Sequence, residues 1–180
     1  DEALILMDKA FKNAIDDSTN TKIKNYIDEI QIPKGYWRYR DPARWIAENN
    51  EIKDVKTSIT KIGVLQQNLI NSTCNKILNG KIRAGLILGG EARYKLIRSH
   101  IEKKEYVETE LNINPDHYVK AKDDLHLKVE EDSLGLMAVG YYGILESALR
   151  SSLNVNFNNH HKNISEMYSE FSKIASKNAD

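Results

Sequence analysis

Residues 55–88 constrain the fold of this chain more than any other stretch. Val55, Thr57 and Ile59 alternate with Lys56, Ser58 and Thr60, the period-two pattern of a strand. Gly63 marks a turn, and Leu65, Leu69, Ile70, Cys74, Ile77 and Leu78 then form a helical stripe across 64–78. Asn79-Gly80 supplies a left-handed helix stop. Residues 82–88, Ile-Arg-Ala-Gly-Leu-Ile-Leu, are almost continuously apolar, which predicts a parallel strand covered on both faces. Strand, helix and strand within about 35 residues read as a right-handed βαβ crossover. The expected class is therefore α/β.

The flanks extend this unit. Leu6, Met7, Ala10, Phe11, Ala14 and Ile15 recur at three- and four-residue spacings, predicting an amphipathic helix over 3–15 with Asp1 as its cap. Ile30 and Ile32 alternate around Gln31 in a short strand that Pro33 and Gly35 break. Asp41 and Pro42 have the chemistry of a helix start, with the helix running to about Asn49. Gly89-Gly90 closes the strand at 82–88 and opens a helix near Glu91. Residues 102–132 are charged and weakly periodic, with Pro115 inside, and read as a loop excursion. Leu134, Met137, Tyr141, Leu145, Ala148 and Leu149 form one further helical stripe, and Ile164, Met167, Phe171, Ile174 and Ala175 another. The predicted organisation is an α/β core over 1–101, the excursion over 102–132 and a helical pair over 133–180.

Composition narrows the function classes. Of 180 residues, 41% are apolar and 29% charged, the balance of a folded domain. Twenty-six basic residues match 26 acidic ones, so no net charge draws the chain to nucleic acid or an anionic membrane. No apolar run approaches the roughly 20 residues of a membrane helix. The single cysteine, Cys74, forbids an internal disulfide and fits a reducing, cytoplasmic setting. The chain opens in a helical pattern without a leader and stops just after another, so a fragment is expected.

Residues 57–92, TSITKIGVLQQNLINSTCNKILNGKIRAGLILGGEA, resemble the N-terminal half of the thiolase superfamily. GYWRYRDPARWIAENN (35–50) is similar to a segment of its acetyl-CoA acetyltransferase-like, sterol-carrier-type subgroup, and the final helical pair resembles that subgroup's. The resemblance implies a layered α/β/α half with a helical and loop excursion, and a parent protein that acts on or binds acyl-CoA thioesters. It also implies pairing with a missing C-terminal half, or a homo-oligomer. Thiolases place a nucleophilic cysteine at the turn between strand and helix, where the helix N-terminus stabilises a thiolate. Here Gly63 falls at that position. Cys74 lies about 11 residues on, roughly 16 Å down a helix, and reads as a core thiol among Ile70, Ile77 and Leu78. The resemblance thus supplies no catalytic residue, and a catalytically inactive subunit that binds acyl-CoA or a protein partner is the alternative.

The turn at Ile62, Gly63 and Val64, with Gln66, Gln67 and Asn68, is the candidate acyl-CoA pocket, its backbone N–H groups facing a thioester. An ordinary βα turn with a solvated first helical turn reads the same residues equally well. His100, Lys103 and Lys104 are candidates for the coenzyme A phosphates or simply a basic helix end. Tyr36-Trp37-Arg38-Tyr39-Arg40 alternates rings and guanidinium groups, a pattern that can stack on bases; without net basic charge, a packed segment or a subunit contact is expected. The adjacent His160 and His161 do not share a face suited to one metal, and no metal is expected.

Overall fold

A computed structural model describes residues 1–61, 66–121, 126–135 and 137–177. The chain divides into two compact units, Asp1–Leu125 and His126–Asp180. In the first, helices α1 (Ala3–Asp17), α2 (Pro42–Asn49), α3 (Gln66–Leu78) and α4 (Arg93–Ile101) alternate with strands β1 (Ile27–Pro33), β2 (Lys56–Thr60), β3 (Ala84–Ile87) and β4 (His117–Val119). The strands form one parallel sheet in the order β3-β1-β2-β4. The class is α/β, as the crossover pattern requires. The second unit holds α5 (Lys128–Leu134), α6 (Ala138–Ser152) and α7 (Phe157–Lys177).

Several local expectations hold. Asp41 caps α2, its carboxylate accepting from the Arg44 N–H at 3.0 Å with Pro42 in the first turn. Gly80 takes a φ of +65° at the end of α3. Others are corrected. Glu2, not Asp1, is the N-cap position of α1, and no side chain caps it; Asp1 pairs instead with Lys9. The apolar run at 82–88 becomes β3, an edge strand that is only half-buried. The supposed excursion contributes β4, the opposite edge.

The sheet's two faces differ because residues paired across parallel strands point to the same side. Pairing of Ile30 with Thr57 and Ile32 with Ile59 directs these four to one face. There the three isoleucines join Leu4, Met7 and Phe11 of α1 and Ala43, Ile46 and Ala47 of α2 in the core, and Thr57 is buried with them. Pairing of Gln31 with Ser58 directs these two to the other face, with Glu29 and Thr60. That face is covered by α3, whose Thr73 accepts from Gln31 Nε2 at 2.9 Å and whose Lys76 Nζ lies 2.7 Å from the Glu29 carboxylate. A Cβ on Gly85 would stand 2.5 Å from Thr73 Cγ2, so the bare backbone lets α3 lie close over β3.

Only Leu69 and Thr73 of α3 are buried. Ile70, Cys74, Ile77 and Leu78 face outward, so the lone thiol is exposed rather than a core group. The stripe is split: Leu69 is buried, while the polar sheet beneath takes the rest of the helix through the Thr73 hydroxyl and the Lys76 ammonium.

Candidate functional site

The functional candidates gather where strands end. β1 runs into a chain that returns through α2 on the apolar face, whereas β2 runs into α3 on the polar face. Neighbouring strands whose exits diverge leave a crevice beyond their carboxyl ends, the usual ligand position in open α/β sheets. A cleft of about 440 Å³ occupies this position, lined by Lys34, Tyr39, Arg40, Ile59, Lys61 and Tyr118.

The backbone holds two of its cations. Lys34 N donates to the Thr60 carbonyl at 2.7 Å, and Lys61 N donates to the Val119 carbonyl at 2.7 Å. Each is therefore a continuation of the ladder past the last strand residue. Register places Ile59 beside Tyr118, which forms part of the apolar floor. The third cation, Arg40, sits on the segment after β1, whose residues alternate. Trp37 and Tyr39 point into the core while Tyr36, Arg38 and Arg40 are exposed. The two buried rings stack with centroids 5.4 Å apart. Trp37 Nε1 donates to the Gly90 carbonyl at 3.1 Å, and the Tyr39 hydroxyl donates to Glu2 at 2.8 Å. The aromatic–basic run is thus a packed segment that offers its guanidinium groups outward.

The cations are unequal. Lys34 Nζ donates to the Trp37 carbonyl and lies 3.9 Å from the Trp37 ring centroid. Burial lowers its pKa, outweighing the opposite pull of Glu108 and Glu91. Lys61 is exposed, with Nζ 5.5 Å from the Tyr118 ring centroid. Arg40 donates to the Asn112 carbonyl at 3.4 Å. Among the described residues none of the three forms an ion pair, and no carboxylate lines the cleft. Three basic residues lining the cleft beside Ile59 and two tyrosines suit a ligand with an anionic group and an apolar body.

A second cluster tethers the edge strand. Asp116 accepts from Thr57 N at 2.7 Å and from Arg44 Nη2 at 2.7 Å, while the Thr57 hydroxyl donates to the buried Asp41 carboxylate at 2.7 Å. Its polar groups are mutually satisfied, so it anchors β4 rather than offering a site.

Of the pocket predicted from sequence, Ile62, Gly63 and Val64 lie outside the described residues. Gln66, Gln67 and Asn68 are exposed on the first turn of α3, where Gln67 Nε2 donates to Asn71 at 3.0 Å. None of these three lines the cleft; Lys61, immediately before the turn, does. After Gly89-Gly90, the Glu91 carboxylate accepts from the N–H groups of Tyr36 and Ala92. Lys104 pairs with Glu102, and neither it nor His100 or Lys103 reaches the cleft. Sequence reasoning missed Lys34, Lys61 and Tyr118. The first two are readable as basic residues directly after strands, but Tyr118 sits in a three-residue strand without alternation.

No family model matches the sequence, and no curated protein or solved structure matches it. Among the described residues no group of three or more His, Cys, Asp or Glu could hold a metal ion. No described helix is long and apolar enough to cross a membrane.

Proposed function

We propose that this chain is a thiolase-like half that binds an acyl-CoA thioester, with no nucleophile of its own at the turn after β2. One observation carries the reading: a cleft at the diverging carboxyl ends of β1 and β2 is lined by Lys34, Arg40 and Lys61 together with Ile59, Tyr39 and Tyr118. Phosphates call for such cations, and an acyl or pantetheine chain calls for such apolar lining. The glycine at position 63 leaves any Claisen or transfer chemistry to groups elsewhere in a larger protein or assembly. The exposed thiol of Cys74 lines no part of this cleft and belongs to a reducing, cytoplasmic setting.

Calorimetric titration with coenzyme A and with acetyl-CoA tests the reading. Both should bind, and Lys61→Glu or Arg40→Glu should weaken each by about tenfold or more, ~1.4 kcal/mol. Absence of heat with a protein whose circular dichroism is native would overturn it. The alternative reading, a catalytically inactive subunit that pairs with a partner, is favoured by the outward Ile70, Ile77 and Leu78 of α3, the last 82% exposed. Co-purification of a second chain together with absence of coenzyme A binding would select it.

A further inference from the structure

β4 contributes one residue, Tyr118, to the cleft, and its own ladder is a weak guarantee of which residue that is. Only three pairs join it to β2: Ser58 with His117, Ile59 with Tyr118 and Thr60 with Val119. None of His117, Tyr118 and Val119 is buried, so burial does not choose among registers. A shift of one residue would turn Tyr118 to the opposite side of the sheet and set His117 or Val119 beside Ile59. The ring that lines the cleft would be lost from it. The register must be held from outside the strand.

Resting on the thioester reading for the identity of the ligand, we infer that Asp116 is a positioning residue that fixes the register of β4 and so keeps Tyr118 in the cleft. The Asp116 carboxylate accepts from Thr57 N at 2.7 Å and from Arg44 Nη2 at 2.7 Å, and Asp116 N donates to the Thr57 hydroxyl at 3.2 Å. Alternate N–H groups of a strand face the same neighbour, and Lys61 N donates to the Val119 carbonyl of β4. Thr57 N points the same way, so the Asp116 carboxylate takes the place of a further carbonyl in the ladder. That bond ties β4 to one residue of β2.

The clamp is directional. The Thr57 hydroxyl has a single proton and gives it to the buried Asp41 carboxylate at 2.7 Å, so toward Asp116 N it acts as acceptor. Asp41 in turn caps α2 through Arg44 N, which refers the clamp to a helix of the core. Pro115 is also buried, but apolar contact has no direction and does not distinguish a one-residue shift as these bonds do. Asp116 itself lines no part of the cleft. It acts through Tyr118, whose ring centroid lies 5.5 Å from Lys61 Nζ.

The test combines NMR of the whole chain with calorimetric titration of coenzyme A and acetyl-CoA. Contacts between the Ile59 methyls and the Tyr118 ring should be present in the unmodified chain and lost in Asp116→Asn. Contacts from Ile59 to His117 or Val119 should replace them. Arg44→Gln, which removes the charged donor to the carboxylate, should act in the same direction. Asp116→Asn should weaken both ligands by about fivefold or more. Added to Tyr118→Ala, it should weaken them no further than that change does alone, within about twofold. Asp28→Asn, which breaks a carboxylate–arginine pair at the β3 side of the sheet, should move neither readout. Ile59–Tyr118 contacts that persist in Asp116→Asn overturn the inference, as does an affinity that is unchanged or a loss that adds to that of Tyr118→Ala. If neither ligand binds the unmodified chain, the thioester reading fails, and the NMR contacts still decide whether Asp116 holds the register.

Discussion

The two faces of the sheet are built from the same four strands and yet held by different physics. Toward α1 and α2 the strands present Ile30, Ile32 and Ile59, closed over by Leu4, Met7 and Ile46. Toward α3 they present Glu29, Gln31, Ser58 and Thr60, all at most 4% exposed. The first face gains from removing apolar surface from water, a term that grows with every methylene. The second exchanges hydrogen bonds with water for hydrogen bonds with Thr73 and Lys76, which is close to neutral once desolvation is counted. One group on it, the Thr60 hydroxyl, is buried without a hydrogen-bond partner among the described residues. A helix resting mainly on polar groups, with Leu69 buried but Ile70, Ile77 and Leu78 turned outward, is the less firmly held layer. That helix begins just beyond Lys61, so the looser face adjoins the cleft and the firmer face forms its floor.

Substitutions can break or sharpen this contrast. The largest effect should come from Ile30→Ala on the apolar face, costing about 2–5 kcal/mol in urea unfolding because the cavity cannot collapse among α1, α2 and β2. Gly85→Val attacks the polar face sterically. With Thr73 Cγ2 at 2.5 Å from the added Cβ, α3 must shift, at about 1–3 kcal/mol, and hydrogen exchange in α3 should accelerate while α1 and α2 keep their protection. A loss of protection in all three helices would show that the two faces act as one unit.

Acid should act through carboxylates at the sheet's margins. Asp116 is held below the usual carboxylate range by the Thr57 N–H bond, which outweighs burial, with Arg44 adding to the effect. Asp28 is lowered first by its hydrogen bonds from Arg83. A depressed folded pKa means stability that is complete above the unfolded value of about 4 and is lost as pH falls through the folded one. Asp41 opposes them, its carboxyl raised chiefly by burial, so it weakens the fold as it ionises. The urea midpoint should therefore fall on acidification below about pH 4, and Asp116→Asn should flatten that fall while lowering the neutral-pH stability by ~1 kcal/mol. An unchanged acid slope in that variant would remove Asp116 from the account. The smallest effect belongs to the double change Gln31→Leu with Thr73→Val. Replacing a buried hydrogen-bonded pair by apolar groups of similar shape should alter stability by less than about 1 kcal/mol. A large loss would mean that the polar face contributes more than hydrogen-bond exchange allows.

Much of the first unit is legible from residues alone. Asp41-Pro42 announces α2, Ile30 and Ile32 announce β1, and Asn79-Gly80 ends α3, each through a constraint on a few neighbouring dihedrals. The site was legible only in part. The turn after β2 is a sound place to look, because parallel strands gather ligands at their carboxyl ends, but the glutamines beyond it face solvent. β4 escaped because His117–Val119 is too short to show a period and is defined by its partner β2.

Sequence by itself determined the alternation of strands and helices and the polarity of each strand position, since both follow from local periodicity. Tertiary structure decided which of two plausible faces α3 buries, that the apolar run at 84–87 is an edge, and that Lys34, Arg40, Lys61 and Tyr118 meet in one cleft. These depend on parallel register and strand order, which join residues up to 84 positions apart in the chain, Lys34 to Tyr118, and leave no mark on the neighbours of either. A helix with an apolar stripe normally turns it inward. Here the sheet beneath offers carboxylate, amide and hydroxyl groups, and they take the polar side.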